Sequence, residues 1–373
     1  MTGVEVVGTG LHPFGRHGEL PATAMGVVAV REALADSGPG ATFQAAFCGT
    51  AYGGVAAGHR VLGALGLTGG PIIDVEAGCA SGAAALGLGA AAIRAGQYDS
   101  VLVFGIEKMP RGIIRSSFFE PWREQAGLAA TPAYFALRAQ RLMVDSGITK
   151  DDLAAVVVKN RSHGVANEHA MFRAAVTAEQ VLATRVVCEP LHLFMLCSPN
   201  EGAAAVLLRA GDGGVQVRAA ALRSHRPGHV LDESSPLCGL VGEDPPPPST
   251  LAATDAYETA GLGPDDLDVV ECQDTDAARE LLAYEELGLC PRGGSGRLLG
   301  EGATRLGGRL PVNPSGGLLS KGEPLGASAV GQVVELTRQL QDRGGARQVP
   351  DARVALAHTV GRGANASVVL LTR

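Results

Sequence analysis

Residues 76–82, with the sequence EAGCASG, follow a short apolar run at Pro71–Val75 and precede an Ala/Gly/Leu-rich run at Ala83–Ala95. The first run predicts a buried strand, and the second predicts a helix that is buried on nearly every side. Cys79 therefore lies in a turn where a strand ends and a helix begins. The positive end of a helix stabilises a thiolate, and the small neighbouring residues leave room for a bulky substrate. On this turn alone, an ordinary buried cysteine is an equally good interpretation.

The segments around this turn alternate in the same way. Ala22–Ala35 predicts a helix, and Ala45–Cys48 and Ser100–Gly105 predict buried strands. Because strand, helix and strand follow one another closely, we expect parallel pairing with right-handed crossovers. At the start of the chain, Val4–Val7 predicts a strand and Gly8–Gly15 an irregular turn.

Residues 111–180 differ in character, since aromatic, Arg and Met residues gather there around a predicted helix at Pro132–Asp145. We interpret this stretch as a lid-like excursion from the first half of the chain. Its aromatic residues are candidates for an apolar pocket, although aromatic residues on helices more often belong to a core. They are Phe118, Phe119, Trp122, Tyr134 and Phe135.

The second half repeats part of this organisation. A strand at Val269–Cys272 and a helix at Ala277–Leu287 echo the strand, turn and helix at Ile72–Leu88. Gly242–Thr250, with four consecutive prolines, predicts a loop. Further strands are predicted at Ala203–Leu208, Val215–Leu222, Val354–His358 and Ala366–Leu371. The echo predicts two similar halves, at residues 1–212 and 213–373, with active groups at the turns between them.

Composition excludes several classes of protein. The chain has 373 residues, of which 46% are hydrophobic and 18% charged, which suits a layered α/β protein with two lobes. A net charge of −7 without a basic stripe argues against a nucleic-acid partner. Seven cysteines without CxxC pairs predict neither a disulfide framework nor a metal site. The first residues lack the pattern of a signal peptide and no apolar run is long enough to span a membrane, so we expect a cytoplasmic protein.

Two further segments carry candidate chemistry. The Gly- and Pro-rich segment Asn313–Ala327 precedes an amphipathic helix at Ser328–Gln341, and it places Glu323 between a glycine and a proline. Glu323 alone is more simply interpreted as a carboxylate at a helix start. His358 ends an apolar strand. A histidine there is usually a core residue, but an imidazole is also a natural acceptor for a thiol proton.

Taken together, these segments resemble the thiolase superfamily, and specifically its sterol-carrier-protein-type, or lipid-transfer-protein-like, branch. EAGCASG resembles the nucleophile loop, and KNRSHGVANEHA at 159–170 resembles a segment of the loop domain in that branch. CSPNEGAAAVLL at 197–208 is similar to the end of the N-terminal half. NPSGGLLSKGEPLGAS at 313–328 and AHTVGRGANASVVLL at 357–371 resemble the Gly-rich loop and the closing strands.

The resemblance implies a thiolase fold, which is a five-layered α-β-α-β-α sandwich with an inserted loop domain, and a homodimer formed through the N-terminal half. It implies that Cys79 is the nucleophile that accepts an acyl group and that His358 assists it. The Cys79 N–H and an N–H near Val360–Gly361 would form an oxyanion hole. No permanently bound cofactor is implied, because a coenzyme A thioester is the substrate. Lys159, Arg161 and His163 are candidates for contacts with its phosphates, although scattered basic residues usually belong to a solvated surface.

The chain departs from the family pattern at the acid–base positions. The family has a histidine where this chain has Glu323, and its His-Asp-Cys-Phe turn corresponds to Gln273-Asp274-Thr275-Asp276. A protonated Glu323 can donate to an enolate, whereas an ionised Glu323 can accept a proton. The Gln273 amide can still donate a hydrogen bond. We expect Gln273, Asp274 and Gly361 to position the substrate or stabilise an oxyanion.

Three functions are compatible with these residues. The first is an acyltransferase that forms an acyl-Cys79 intermediate from an acyl-CoA or acyl-carrier thioester and makes or breaks a C–C bond. The second is a retro-aldol lyase acting on a β-hydroxyacyl-CoA, in which Cys79 is dispensable. The third is a non-catalytic subunit that binds acyl groups or lipids. Members of the branch often pair with a separately encoded zinc-ribbon/OB-fold subunit, which is therefore a hypothetical partner.

Overall fold

The computed structural model describes residues 2–112, 114, 125, 130–226, 245–361 and 365–373. The strands are β1 (Val4–Gly15), β2 (Ala45–Gly49), β3 (Ile72–Val75), β4 (Ser100–Lys108), β5 (Val186–Cys188), β6 (Leu191–His192), β7 (Glu201–Ala210), β8 (Val215–Ser224), β9 (Val269–Cys272), β10 (Val354–Gly361) and β11 (Asn365–Thr372). The helices are α1 (Ala22–Asp36), α2 (Ala57–Ala64), α3 (Ser81–Arg94), α4 (Thr131–Ser146), α5 (Lys150–Gly164), α6 (Ala178–Leu182), α7 (Pro248–Ala260), α8 (Ala277–Glu286), α9 (Ser295–Gly300), α10 (Gly317–Lys321) and α11 (Leu325–Leu340). Short 3-10 turns occupy Leu193–Met195, Pro264–Asp266 and Gly345–Arg347.

The two halves of the chain have the same strand order. The main sheet runs β3-β2-β4-β7-β1-β8-β11-β10-β9, and its two halves meet where Glu5 and Val6 pair with Gln216 and Val215. Outward from this junction, β1-β7-β4-β2 is matched by β8-β11-β10-β9. The parallel pair β2/β4 corresponds to the parallel pair β9/β10, and the other pairs are antiparallel in both halves. The predicted repeat is therefore confirmed.

The register of the repeat was predicted wrongly. Val269–Cys272 corresponds to β2 and not to β3, because it pairs with β10 as β2 pairs with β4. The counterpart of β3 is Val312, which forms a parallel bridge with Val270. The turn after β3 contains Cys79, and the segment after Val312 contains Glu323. These two candidate residues therefore lie at equivalent positions in the two halves, each just before a long helix.

The layers follow from what each helix covers. Helices α1 and α2 pack on the outer face of the N-terminal half of the sheet, and α7 and α8 pack on the outer face of the C-terminal half. Helices α3 and α11 lie between the two halves, in a core of Ala, Val and Leu side chains. This is the predicted α-β-α-β-α order.

Close backbone approach in the central layer explains the abundance of small residues there. A Cβ atom at Gly82 on α3 would lie 2.8 Å from the Gly326 carbonyl oxygen on α11, and one at Gly105 on β4 would lie 2.0 Å from the same oxygen. Only glycine allows such contacts. The N-termini of α3 and α11 are thereby brought side by side.

The excursion between β4 and β7 packs against the C-terminal half. Helices α4 and α5 contact α8, and α5 also contacts α10. Tyr134 and Phe135 are buried in the same core cluster as Leu281 and Leu356. The predicted pocket residues Phe118, Phe119 and Trp122 lie outside the described residues.

Two local predictions were wrong. Gly8–Gly15 belongs to β1, because Gly8 and Gly10 let α1 lie directly on the strand; a Cβ at either would come within 2.1 Å of a carbonyl oxygen of α1. The predicted loop Gly242–Thr250 ends earlier than expected, since α7 begins at Pro248, and residues 242–244 are outside the described part. Proline suits the first turn of a helix, where its missing N–H has no intrahelical partner.

Candidate active site

The Cys79 turn is held by the first residue of α3. Ser81 Oγ accepts a hydrogen bond from the Ala77 N–H at 2.9 Å and donates one to the Gly78 carbonyl at 2.6 Å. Gly78 has φ +61°, a conformation that favours glycine. The Cys79 side chain is buried, with 6% of the residue exposed, and it lines a cavity. The sequence EAGCASG therefore builds a rigid turn that places a thiol at the N-terminus of a central helix.

Glu323 is held by its backbone against the segment before β7. Its N–H donates to the Ser198 carbonyl at 2.9 Å, and its carbonyl accepts from the Asn200 N–H at 3.3 Å. Gly322, with φ +81°, precedes it, and a Cβ there would lie 2.0 Å from the Asn200 side chain. Position 322 therefore has no room for a side chain, and the glycine there lets the loop hold Glu323 against this segment.

Three side chains donate hydrogen bonds to the Glu323 carboxylate. Gln273 Nε2 donates to Oε1 at 2.6 Å, and Cys197 Sγ lies 3.4 Å from Oε2. The Cys79 thiol is the third donor. Burial raises the pKa of Glu323 above its usual value, while these hydrogen bonds act in the opposite direction. The structure therefore brings Cys79, Gln273 and Glu323 together.

Gln273 connects Glu323 to the end of β10. Its Oε1 accepts a hydrogen bond from the Val360 N–H, so both polar atoms of the amide are engaged. Gly361 follows, and a Cβ at that position would lie 2.3 Å from the Ala77 carbonyl oxygen. Gly361 thus lets β10 end against the turn that carries Cys79. Because the Val360 N–H is taken by Gln273, it is not free to stabilise an oxyanion.

Asp274 supports the Gly-rich loop and is not among the residues that line the cavity. Its carboxylate accepts from the N–H groups of Leu318 at 2.6 Å and Leu319 at 3.1 Å, and from Asn160 Nδ2 at 2.7 Å. Burial, followed by the nearby Glu280 carboxylate, raises the pKa of Asp274 well above its usual value. Its position is that of a residue that orders the loop carrying Glu323.

The loop-domain segment 159–164 contributes to the same buried network. Lys159 forms a fully buried ion pair with Glu280 at 2.9 Å, and Asn160 joins Glu280 to Asp274. His163 is buried between Asn313 and Leu306, and burial, with the Lys159 charge, lowers its pKa to about 4. Lys159 and His163 therefore serve structure, and only Arg161 of the three candidate basic residues lines the cavity.

His358 faces away from this group. Its Nε2 lies 3.0 Å from Ser249 Oγ on α7, and the residue is fully buried outside the set that lines the cavity. Burial lowers the pKa of His358 well below its usual value, with a smaller contribution from Arg279, which favours a neutral ring.

The cavity has a volume of about 1110 Å³ and opens between the central layer and the excursion. A cavity of this size suits a ligand as large as an acyl thioester. Its wall combines the polar group around Glu323 with side chains of the excursion. The latter include Tyr134, Phe135, Arg138, Arg161, Phe172 and Phe194.

Cys197 is a site residue that the sequence alone did not single out. It hydrogen bonds to Glu323, and burial, followed by the Glu323 charge, raises its pKa well above the usual value, so it is a protonated thiol. The sequence feature that could have identified Cys197 is the segment CSPNEG, in which the cysteine precedes the residues that pair with the Glu323 backbone. No group of three or more His, Cys, Asp or Glu residues suited to a metal ion occurs in the described ranges.

Comparison with known proteins places the chain in a family. Residues 4–212 match the family model described as thiolase, N-terminal domain, and residues 247–373 match the model described as thiolase C-terminal domain-like. The chain belongs to the thiolase family. Sterol carrier protein 2 of Oryctolagus cuniculus is 36% identical over 394 residues, covering 98% of this chain and 71% of that protein. The predicted sterol-carrier-protein-type branch is thereby confirmed.

Two other proteins are similar to this thiolase-family chain along nearly its whole length. The benzoylsuccinyl-CoA thiolase subunit BbsB of Thauera aromatica is 34% identical over 379 residues, covering 97% of this chain and 96% of that protein. The solved Ltp2-ChsH2(DUF35) aldolase has a TM-score of 0.85 at 22% identity, covering 98% of this chain and 97% of that one. At that identity the likeness shows the fold alone, and with the family models it confirms the predicted thiolase fold. None of the described helices is both long and apolar enough to cross a bilayer.

Proposed function

We propose that this thiolase-family chain is an acyltransferase that takes an acyl group from an acyl-CoA or acyl-carrier thioester onto Cys79 and then makes or breaks a C–C bond. One observation carries the proposal: the Cys79 thiol donates a hydrogen bond to the buried Glu323 carboxylate in the wall of a large cavity. A nucleophile in direct contact with a base is the arrangement that activates a thiol.

In the first step, the proton of Cys79 Sγ passes to Glu323. Burial makes the ionised carboxylate costly, which makes Glu323 a stronger base than an exposed glutamate. The thiolate attacks the thioester carbonyl carbon, the bond from that carbon to the coenzyme A sulfur breaks, and the departing thiolate takes the proton from Glu323. The products are acyl-Cys79, a free coenzyme A thiol and an ionised Glu323.

In the second step of a condensation, Glu323 removes a proton from the α-carbon of a second acyl thioester. The carbanion attacks acyl-Cys79, the carbon–sulfur bond breaks, and Cys79 recovers a proton from Glu323. Cleavage is the reverse sequence, with coenzyme A as the final acyl acceptor. Gln273 keeps Glu323 directed at Cys79 in both steps, and the protonated Cys197 stabilises the carboxylate from its other oxygen.

Glu323 takes the role that the resemblance gave to His358. The carboxylate contacts the Cys79 thiol, whereas the His358 ring contacts Ser249. For the oxyanion, we propose the backbone N–H of Cys79. Gln273 occupies the N–H of Val360, and Gly361, the other predicted oxyanion residue, pairs with Asn365 on β11. Asp274 acts as a positioning residue through the loop that carries Glu323.

Retro-aldol cleavage of a β-hydroxyacyl-CoA is the second candidate. It is favoured by the presence of a buried carboxylate base where the family has a histidine, since such a base can remove the proton of a β-hydroxyl group. In that reaction Cys79 forms no bond to the substrate, and the thioester stays intact. A binding subunit without catalysis would need none of these hydrogen-bonded contacts.

A homodimer through the N-terminal half is part of the same proposal. Strand β3 is the edge of the sheet, lies next to the Cys79 turn, and exposes Ile73 with 45% of its surface accessible. A second, separately encoded subunit of zinc-ribbon/OB-fold type is also proposed, because the Thauera relative is named as a subunit. Mass measurement of the purified protein with and without that subunit tests both assemblies.

Single-turnover release of free thiol separates the two reactions. An acyltransferase mixed with an acyl-CoA releases close to one equivalent of coenzyme A thiol per chain before any acceptor is added, and Cys79→Ala abolishes that burst. A retro-aldol lyase supplied with a β-hydroxyacyl-CoA releases a carbonyl product without free thiol, and Cys79→Ala retains this activity. The second pattern would replace the acyltransferase proposal.

A further inference from the structure

Arg161 is a buried cation that the reaction proposed above does not use. It lies in the last turn of α5, a helix that begins with a capping box in which Thr149 and Asp152 exchange hydrogen bonds. Only 6% of Arg161 is exposed, and the residue lines the same cavity as Cys79 and Glu323. The guanidinium carbon lies 4.1 Å from the ring centre of Phe172 and 5.4 Å from that of Phe194.

No anion in the described part of the chain pairs with Arg161. Neither a hydrogen bond nor an ion pair joins it to another described residue, and its Nε atom is buried without a partner. By contrast, three other buried cations of the described residues each form an ion pair with a carboxylate. Arg138 pairs with Asp276, Lys159 with Glu280, and Lys321 with Glu271.

An unpaired buried charge is costly. Burial lowers the pKa of Arg161 to about 10, so the guanidinium is still charged at neutral pH. Contacts with two aromatic rings offset part of the cost of removing the charge from water, but they leave the in-plane N–H donors unused. A planar guanidinium presents these donors in a fork that matches a carboxylate. The cavity is therefore complementary to a ligand that brings a negative charge to Arg161.

We propose that Arg161 binds a carboxylate on the acyl part of the substrate, so that the preferred substrates are thioesters of dicarboxylic acids. This inference rests on the proposed function, because it places the carboxylate in the cavity that contains the acylated thiol. The phosphates of coenzyme A share the same chemistry. However, they carry several charges that a single guanidinium, enclosed by Phe172 and Phe194, cannot neutralise, and such groups are better accommodated near solvent.

Matched thioesters without phosphates test the assignment. Glutaryl-pantetheine and valeryl-pantetheine have acyl chains of equal length and differ in a terminal carboxylate or methyl group. We expect the wild-type protein to form the glutaryl-Cys79 adduct at least about tenfold faster than the valeryl adduct, measured by intact mass, as a charged hydrogen-bonded pair implies. In Arg161→Met the ratio of the two rates should fall to near one.

Control variants distinguish the site from a general charge effect. Arg173→Met removes an exposed arginine on the loop after α5 that does not line the cavity, and it should leave the ratio unchanged. Arg161→Met should also raise the Tm of the ligand-free protein, because it replaces an unpaired buried charge with an apolar chain. An unchanged ratio in Arg161→Met would overturn the inference. So would a dependence on Arg161 that is seen with coenzyme A thioesters and not with pantetheine thioesters, since that result would assign Arg161 to a phosphate.

Direct binding separates this inference from the acyltransferase proposal. If no donor acylates Cys79, the proposed function fails, and calorimetric titration with free glutarate still reports on Arg161. Glutarate binding to the wild-type protein that is lost in Arg161→Met supports the carboxylate site without the acylation reaction. The absence of glutarate binding to the wild-type protein, under conditions in which it is folded, contradicts the site.

Discussion

Gln273 Nε2 donates a 2.6 Å hydrogen bond to Glu323 Oε1, and these are the two residues for which the resemblance predicts histidines in the family. The two departures from the family pattern are therefore joined in space and not independent. An amide that donates to a buried carboxylate favours the ionised state of that carboxylate. In the proposed function, Glu323 is the base and Gln273 is the residue that holds it in place.

Glu323→Gln should slow acylation of Cys79 by roughly 10²- to 10⁴-fold, the usual contribution of a general base. Glutamine keeps the size of the side chain and can still accept from Gln273, so the fold should be retained. Because burial raises the pKa of Glu323, the wild-type rate should fall as the pH drops through a midpoint above that of an exposed glutamate. The variant should lack this midpoint. A rate profile identical in both proteins would remove Glu323 from the acylation step.

Gln273→Leu should move the same midpoint to higher pH. The hydrogen bond from Gln273 lowers the pKa of Glu323, so its loss raises the pKa further. The variant also leaves the Val360 N–H without its acceptor, which should cost about 1–3 kcal/mol of unfolding free energy. Gln332→Leu is the matched control, since Gln332 is a buried amide that contacts β10 at His358 and Thr359. It should lower stability without moving the midpoint; a shift in both variants would indicate a general effect.

Gly361→Ala should disturb the Cys79 turn. A Cβ at this position would lie 2.3 Å from the Ala77 carbonyl oxygen, and backbone on both sides must move to relieve the contact. We expect a loss of about 1–3 kcal/mol in unfolding free energy together with slower acylation. Gly63→Ala on α2 provides the control, because nothing lies within 4 Å of a Cβ there and alanine favours a helix. Urea unfolding that gives equal stabilities for the two variants would show that Gly361 is not under this constraint.

The turns could be predicted from the sequence because their chemistry is local. A cysteine between small residues at the junction of a strand and a helix identified Cys79, and the Gly- and Pro-rich segment identified Glu323. The equivalent positions of these two residues in the two halves could not be predicted from the sequence. Two apolar strand–turn–helix units look alike in sequence, while their sheet neighbours depend on long-range pairing, so Val269–Cys272 was matched with β3 and not with β2.

The direction in which a side chain points was the second feature that could not be predicted from the sequence. His358 lies on β10, which is apolar on both faces, so alternation does not indicate which side the imidazole takes. The structure turns it towards Ser249 on α7. Cys197 and Arg161 gain their significance from what surrounds them in space. Cys197 contacts Glu323 and Arg161 contacts Phe194, and both partners are distant in sequence. No local sequence pattern predicts these contacts.

The central claim is that Cys79 carries the acyl group. Intact-protein mass spectrometry after incubation with a panel of acyl-CoAs, followed by peptide mapping, tests it in the wild type beside Cys79→Ala and Cys197→Ala. We expect an adduct of the mass of the acyl group on the peptide that contains Cys79, lost in Cys79→Ala and retained in Cys197→Ala. An adduct that persists in Cys79→Ala, or no adduct with any donor from folded protein supplied with its candidate partner subunit, would contradict the account.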